Sequence, residues 1–127
     1  MSSKYVVEFL DDAALQLVEQ LPEPHRDIAR ELLDHLQEHP RFGKSLEYNP
    51  LTGDLSGARS LYVIDFSKEQ VEWPPPYRVV YRLLPSDEVV ERVQVIWAGP
   101  RNDLAVYETA ARRLARARAR ARSDPGR

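Results

Sequence analysis

The chain has 127 residues and no cysteine. That length predicts one domain with a core of its own, and the missing thiols exclude a disulfide framework, a zinc ribbon and a cysteine nucleophile. The formal net charge of −2 argues against a nucleic-acid partner until it is divided: residues 104–127 carry seven arginines against Glu108 and Asp124, hence +5, which leaves −7 on the other 103 residues.

Lys4 to Leu10 reads as a strand, with Tyr5, Val7 and Phe9 alternating. Asp11 or Asp12 caps a helix that runs through Gln20 and puts Ala14, Leu15, Val18 and Leu21 on one face. Pro22-Glu23-Pro24 ends it and opens a second helix, since proline fits a first turn but not a helix interior. Ile28, Leu32, Leu33 and Leu36 give that helix its period as far as His39, and Pro40 stops it, so the two form a helical hairpin. Pro40, Gly43, Pro50, Gly53 and Gly57 then predict a loop over residues 40–58. Three strands follow, Arg59–Phe66, Tyr77–Leu84 and Val89–Ala98. Between the first two, Ser67–Pro76 holds Trp73 and three consecutive prolines, which cannot donate ladder bonds, and predicts a stiff extended loop. Pro85–Glu88 predicts a short turn. Asn102 caps a last helix whose apolar face is Val106, Tyr107, Ala110, Ala111 and Leu114.

The expected fold is α+β in the order β-α-α-β-β-β-α: an antiparallel meander sheet with a helical hairpin packed on it and a C-terminal helix, one domain over residues 1–114. In residues 115–127 the Ala-Arg pair repeats four times. Both are strong helix formers, but a period of two spreads arginine around the whole helix. This extension is expected to project into solvent or to meet something anionic. No apolar run approaches the ~20 residues of a membrane span and no signal-peptide core opens the chain, so a cytoplasmic protein without a membrane partner is expected.

His35-Leu36-Gln37-Glu38-His39 spells an inverted zinc-protease motif, but Pro40 ends the helix at once and no third ligand is in prospect. The glycines are too scattered for a phosphate loop, and no metal or cofactor is expected. Alternation along Tyr77–Leu84 puts Arg78, Val80 and Arg82 on one side. One helical layer covers one sheet face, so Arg78 and Arg82 are expected on an open face. Arg101 follows Gly99-Pro100, where the last strand leaves the sheet beside a helix start, a favourable place for an anion. Tyr107 lies one turn into that helix.

Three pieces carry a resemblance. Leu55-Ser56-Gly57-Ala58-Arg59-Ser60-Leu61-Tyr62-Val63, then Pro76-Tyr77-Arg78-Val79-Val80-Tyr81, then Gly99 and Arg101 with Val106-Tyr107, resemble in this order the RelE/ParE toxin superfamily of bacterial toxin–antitoxin modules. The similarity spans residues 4–114. It implies a small cytoplasmic toxin held inactive by a cognate antitoxin protein. RelE-like members cut mRNA on the ribosome without a metal, whereas ParE-like members poison DNA gyrase. For a RelE-like nuclease the resemblance places Arg78, Arg101 and Tyr107 in the active site. Arginines suit a phosphate clamp, being bidentate and always charged, and a tyrosine suits stacking on a base or moving a proton.

Arg59, Arg82, Arg112, Arg113 and Arg116 are further candidates for RNA contact, with an attraction that falls as salt rises. The chain departs from the RelE-like pattern where a pair of lysines is usual, since Val63 and Asp65 stand there. It departs again where some relatives place a glutamate base, before a run that here reads Pro50 to Gly57: Asn49 precedes it, with Glu47 nearby. Asp65 is then a candidate base. Three functions stay open at this point: a ribosome-dependent, metal-independent mRNA endoribonuclease, a gyrase inhibitor, and a diverged, non-catalytic binding module. An antitoxin is expected to lay a segment over the sheet and against the terminal helices and to neutralise the arginines.

Overall fold

The computed structural model describes residues 5–46, 48–49, 53–71, 73–100 and 105–123. Its strands are β1 (Val6–Phe9), β2 (Lys44–Ser45), β3 (Tyr48–Asn49), β4 (Gly53–Asp54), β5 (Ala58–Tyr62), β6 (Tyr77–Pro85) and β7 (Val90–Pro100). Its helices are α1 (Asp12–Glu19), α2 (His25–His35) and α3 (Ala105–Ser123). The main sheet has the order β1-β7-β6-β5-β2, and β3 and β4 form a separate two-stranded ribbon. The expected meander is β5-β6-β7, antiparallel throughout, while β1 joins its far edge parallel to β7.

Asp11 caps α1 as expected, its Oδ1 accepting the Ala14 N–H at 2.8 Å. Leu15, expected on the inward face, is exposed, and the face that packs inward carries Ala14 and Val18. α2 ends at His35, before the expected His39. Beyond it the chain tightens into i→i+3 bonds, Leu36 to Leu33, Gln37 to Asp34 and Glu38 to His35 at 3.1–3.2 Å, and closes with a last i→i+4 bond from His39 to His35 at 3.0 Å, ahead of Pro40, which disfavours any further helical residue. The stretch read as a loop over residues 40–58 contains β2, β3 and β4, each two residues long and too short to show a period. β5 stops at Tyr62, short of Phe66, because the Ile64 N–H turns back onto the Tyr62 carbonyl at 3.0 Å. β7 runs two residues past Ala98, to Pro100.

The sheet buries both of its faces. Against α1 and α2 lie Leu61, Val63, Val79, Tyr81, Leu83, Val93, Val95 and Ala98, packed with Val18, Leu21, Ala29, Leu33 and Leu36. On the opposite face Ala58, Val80 and Ile96 pack with Ala110, Ala111 and Leu114 of α3 and with Leu55. The expected open face is therefore not open. Val80 sits between Arg78 and Arg82 on that side, and the two small alanines let α3 come down on it. A register shift assists: Val80 pairs with Trp97 but Tyr81 pairs with Val95, so β7 bulges at Ile96. The extra residue changes the alternation, which lets Ile96 and Trp97 both join the α3 side while Val95 and Ala98 both face the hairpin.

α3 continues past Leu114 as one helix to Ser123, and its arginines do not all project into solvent. Arg113 donates to the Ile96 carbonyl at 2.9 Å and pairs with Asp11. Arg118 pairs with Asp54 at 3.3 Å and donates to the Ser56 carbonyl. The anion met by this part of the extension is the acidic body of the same chain.

Residues 40–43 are tied down by polar contacts that no pattern announces. The Tyr81 hydroxyl donates to the Pro40 carbonyl at 2.8 Å and accepts the Gly43 N–H at 2.8 Å, all buried. Arg59 grips Asp87 with two bonds of 2.9 and 3.0 Å and donates to the carbonyls of Gly43 and Arg41 at 2.8 and 3.1 Å. The Arg59 guanidinium holds the Asp87 carboxyl below its ordinary range.

Candidate active site

The α3 face of the sheet brings together a cation, a phenol and a set of rings. Arg78 on β6 stands opposite Tyr62 on β5 and Gly99 on β7. Its guanidinium carbon lies 4.3 Å from the centre of the Tyr62 ring, a cation–π contact. Its Nη1 donates to the Tyr107 hydroxyl at 2.9 Å. Its Nε is buried and has no partner among the described residues. Tyr107 comes from the first turn of α3, and its hydroxyl is also 3.4 Å from Ser60 Oγ. Tyr62 in turn meets Trp73 edge-on, with ring centres 6.0 Å apart, and Trp73 is 68% exposed. The proline-rich segment thus carries an indole to the rim of the site.

Trp97 completes the cluster because position 99 is glycine. A Cβ built there would stand 2.2 Å from the Trp97 ring, so the indole occupies the space a side chain would need. Gly99→Ala is expected to push Trp97 out of this position and to cost about 1–3 kcal/mol from overpacking. In a Trp73→Phe background the remaining indole should shift its emission to the red and the melting temperature should fall. Unchanged emission and melting would show that the ring does not depend on this glycine.

Chemically, the pair offers an always-charged fork for a phosphate and a hydroxyl beside it, with three further rings on which bases stack. The other candidates fall elsewhere. Arg101 lies outside the described residues, as do Asn102 and Glu47. Asp65 does not join Arg78 and Tyr107: it lines a hollow of about 400 Å³ against α2, with Ile28, Glu31, His35, Phe42 and Phe66. Hydrogen bonds from the Ser67 hydroxyl and N–H lower its affinity for a proton, which is the wrong direction for a base.

Val63, the other departure, is buried against the helical hairpin. Neither position faces Arg78. Arg59 lies on the hairpin side of the sheet, engaged by Asp87. Arg82 shares the face of Arg78 but stands at the other end of the α3 footprint, and Arg113 is engaged by Asp11. Arg112 and Arg116 are exposed on α3. His35 and His39 stack at 4.6 Å, with Phe42 edge-on to His35 at 4.8 Å. Among the described residues no three His, Asp or Glu side chains group as metal ligands. No described helix is long and apolar enough to cross a membrane.

Of the candidates put forward from the sequence, Arg78 and Tyr107 are brought into contact, whereas Tyr62, Ser60 and Trp97 were not among them and Gly99 was read as a strand end beside an anion site, not as room for an indole. The strand parity that selects Arg78 also selects Tyr62 and Ser60 across the ladder, once the pairing register is known. No family model matches the sequence, and no curated protein matches it. Solved structures do. Escherichia coli toxin RelE, in the free state of an arginine-to-alanine double mutant, matches with a TM-score of 0.59 and 25% identity, over 87% of this chain and 98% of that one. The fold is RelE-like. The RelBE2 toxin–antitoxin complex of Mycobacterium tuberculosis matches at TM-score 0.49 and 23% identity, over 81% and 98% of the two chains. The archaeal RelE–RelB complex of Pyrococcus horikoshii matches at 0.48 and 16%, over 79% and 98%. Within the RelE-like fold, Arg78 and Tyr107 sit where the central strand of the meander meets the start of the C-terminal helix.

Proposed function

We propose that this chain is the toxin of a toxin–antitoxin module and that it cleaves mRNA on the ribosome in a step that uses no metal. The observation that carries the reading is the Arg78–Tyr107 contact on a face ringed by Tyr62, Trp73 and Trp97. In the proposed step the 2′-oxygen of a nucleotide attacks the adjacent phosphorus and the bond to the 5′-oxygen breaks. The products are a 2′,3′-cyclic phosphate and a free 5′-hydroxyl. Arg78 binds the non-bridging oxygens, on which charge accumulates, and Arg101 is the second cation of the clamp. Tyr107 holds the Arg78 fork in place and contacts the reacting nucleotide, while the rings hold the splayed bases. No carboxylate bonds to Arg78 or Tyr107 among the described residues, so the 2′-proton leaves to water and the 5′-oxygen is protonated from water.

A non-catalytic binding role has one observation in its favour: Val63 is buried and Asp65 faces α2, so neither brings charge to the pair. One experiment separates the readings. Wild type and an Arg78→Ala variant are expressed under tight induction in a bacterial host, and mRNA 5′ ends are mapped. Growth arrest with ribosome-phased cuts that vanish in the variant supports the nuclease. Arrest with double-strand DNA breaks and no phased cuts supports a gyrase target. Normal growth at good expression sinks both and leaves the binding role. The proposed antitoxin relieves the arrest on co-expression by covering the Arg78–Tyr107 face.

A further inference from the structure

At the other end of the α3 footprint lies a cation that the proposed chemistry does not use. Arg82 is partly buried, four residues along β6 from Arg78, an advance of about 13 Å for extended chain. Its Nε donates to Gln94 Oε1 at 2.8 Å, and that acceptor is neutral. Its guanidinium has no other partner among the described residues. The neighbouring carboxylates are taken. Glu8 accepts from Arg92 at 3.3 and 3.4 Å and from Gln94 Nε2 at 3.0 Å. Asp54 accepts the Ser56 N–H at 3.0 Å and pairs with Arg118 at 3.3 Å.

Three guanidiniums, Arg82, Arg92 and Arg118, therefore share two carboxylates, and Arg82 is the one left over. Burial, and then the fields of Arg118 and Arg92, weaken its hold on its proton, which Glu8 only partly offsets. A partly desolvated cation with no carboxylate bonded to it, and with Glu8 offsetting its neighbours only in part, is unfavourable until an anion arrives, and its unused Nη groups form the fork that a phosphate fits.

We propose that Arg82, flanked by Arg118 and Arg92, is a phosphate-binding site separate from the Arg78–Tyr107 pair. The phosphate is either a phosphodiester of an RNA strand or a free phosphate. The first source rests on the nuclease reading. The test reads binding without cleavage, so the two fail separately.

The full chain carrying Tyr107→Phe is titrated with a labelled oligouridylate of about twelve nucleotides over a range of salt, with and without Arg82→Gln. If the strand is the ligand, Arg82→Gln weakens binding about tenfold, as for loss of one charge-assisted bond, and flattens the log K against log salt slope by about 0.7. Arg30→Gln, on the far helix, changes neither. A second arm adds inorganic phosphate at constant ionic strength and follows the melting temperature. If free phosphate is the ligand, it raises the melting temperature of the parent and not of Arg82→Gln. Without ligand, Arg82→Gln is expected to melt at or above the parent, since it removes a charge that Glu8 compensates only in part and keeps an amide beside Gln94. An effect of Arg82→Gln in either arm supports the site and names its source. An unchanged RNA slope and affinity, together with equal phosphate response in parent and variant, overturns it.

Discussion

Arg78→Ala is expected to lower the rate of mRNA cleavage by about 10²–10³-fold, the loss seen when one charge-stabilising donor is removed from a phosphate or oxyanion site. The structure separates this from loss of the fold. Among the described residues Arg78 is engaged only by Tyr62 and Tyr107, and its Nε has no partner there, so truncation opens no new buried ion among them and leaves the Ser60–Tyr107 contact in place. The melting temperature of the variant should stay close to that of the wild type. Arg78→Lys should rescue little, because an ammonium cannot fork to two oxygens or lie flat on the Tyr62 ring. Tyr107→Phe keeps the ring and removes the hydroxyl. A loss of about tenfold is expected from the positioning role, and a loss of about 10²–10⁴-fold would instead put proton transfer on this hydroxyl and overturn the route through water. The measurement is phased cleavage of a defined mRNA on purified ribosomes. Cleavage by Arg78→Ala at the wild-type rate would remove this pair from the chemistry.

The parts of the fold that repeat a period were legible in the sequence, and the parts built from single contacts were not. Tyr77 to Leu84 alternates, and the structure keeps that alternation: Arg78, Val80 and Arg82 on one face, Val79, Tyr81 and Leu83 on the other. What alternation could not say is that α3 would cover Val80, which turns two exposed arginines into two partly buried ones with different neighbours. The bulge at Ile96 was invisible for the same reason, since an inserted residue has no signature apart from its partner strand. Arg59 shows the limit for site residues. By type and place it reads as an RNA contact, yet its four bonds to Asp87, Arg41 and Gly43 make it a fastening of the 40–43 segment. Asp87 is 28 residues further on, and nothing in composition or spacing links the two.

That fastening carries the second large effect. Tyr81→Phe is expected to destabilise the fold by about 1–3 kcal/mol, the cost of leaving buried backbone groups unsatisfied. The ring stays in the core, but the Gly43 N–H and the Pro40 carbonyl both lose their partner. The loop cannot close the gap by moving in. A Cβ at Gly43 would already stand 2.8 Å from Cε1 of the Tyr81 ring and 3.0 Å from the Ser60 carbonyl, both of which remain in the variant, so the backbone is already close against the ring. Burial pushes the Tyr81 hydroxyl up to about 12, from an unfolded value of 10.0. A folded value above the unfolded one means that the native state binds the proton more tightly. The stability from this group is complete below pH 10 and is lost as pH rises from 10 toward 12. The gap in melting temperature between wild type and Tyr81→Phe should therefore be constant from neutral pH to about 9 and narrow above 10. A gap that stays constant through pH 11 would show that the hydroxyl is not held neutral by its burial. A variant that melts with the wild type at neutral pH would show that the 40–43 segment is held without the hydroxyl, by the bonds of Arg59 and of Arg41.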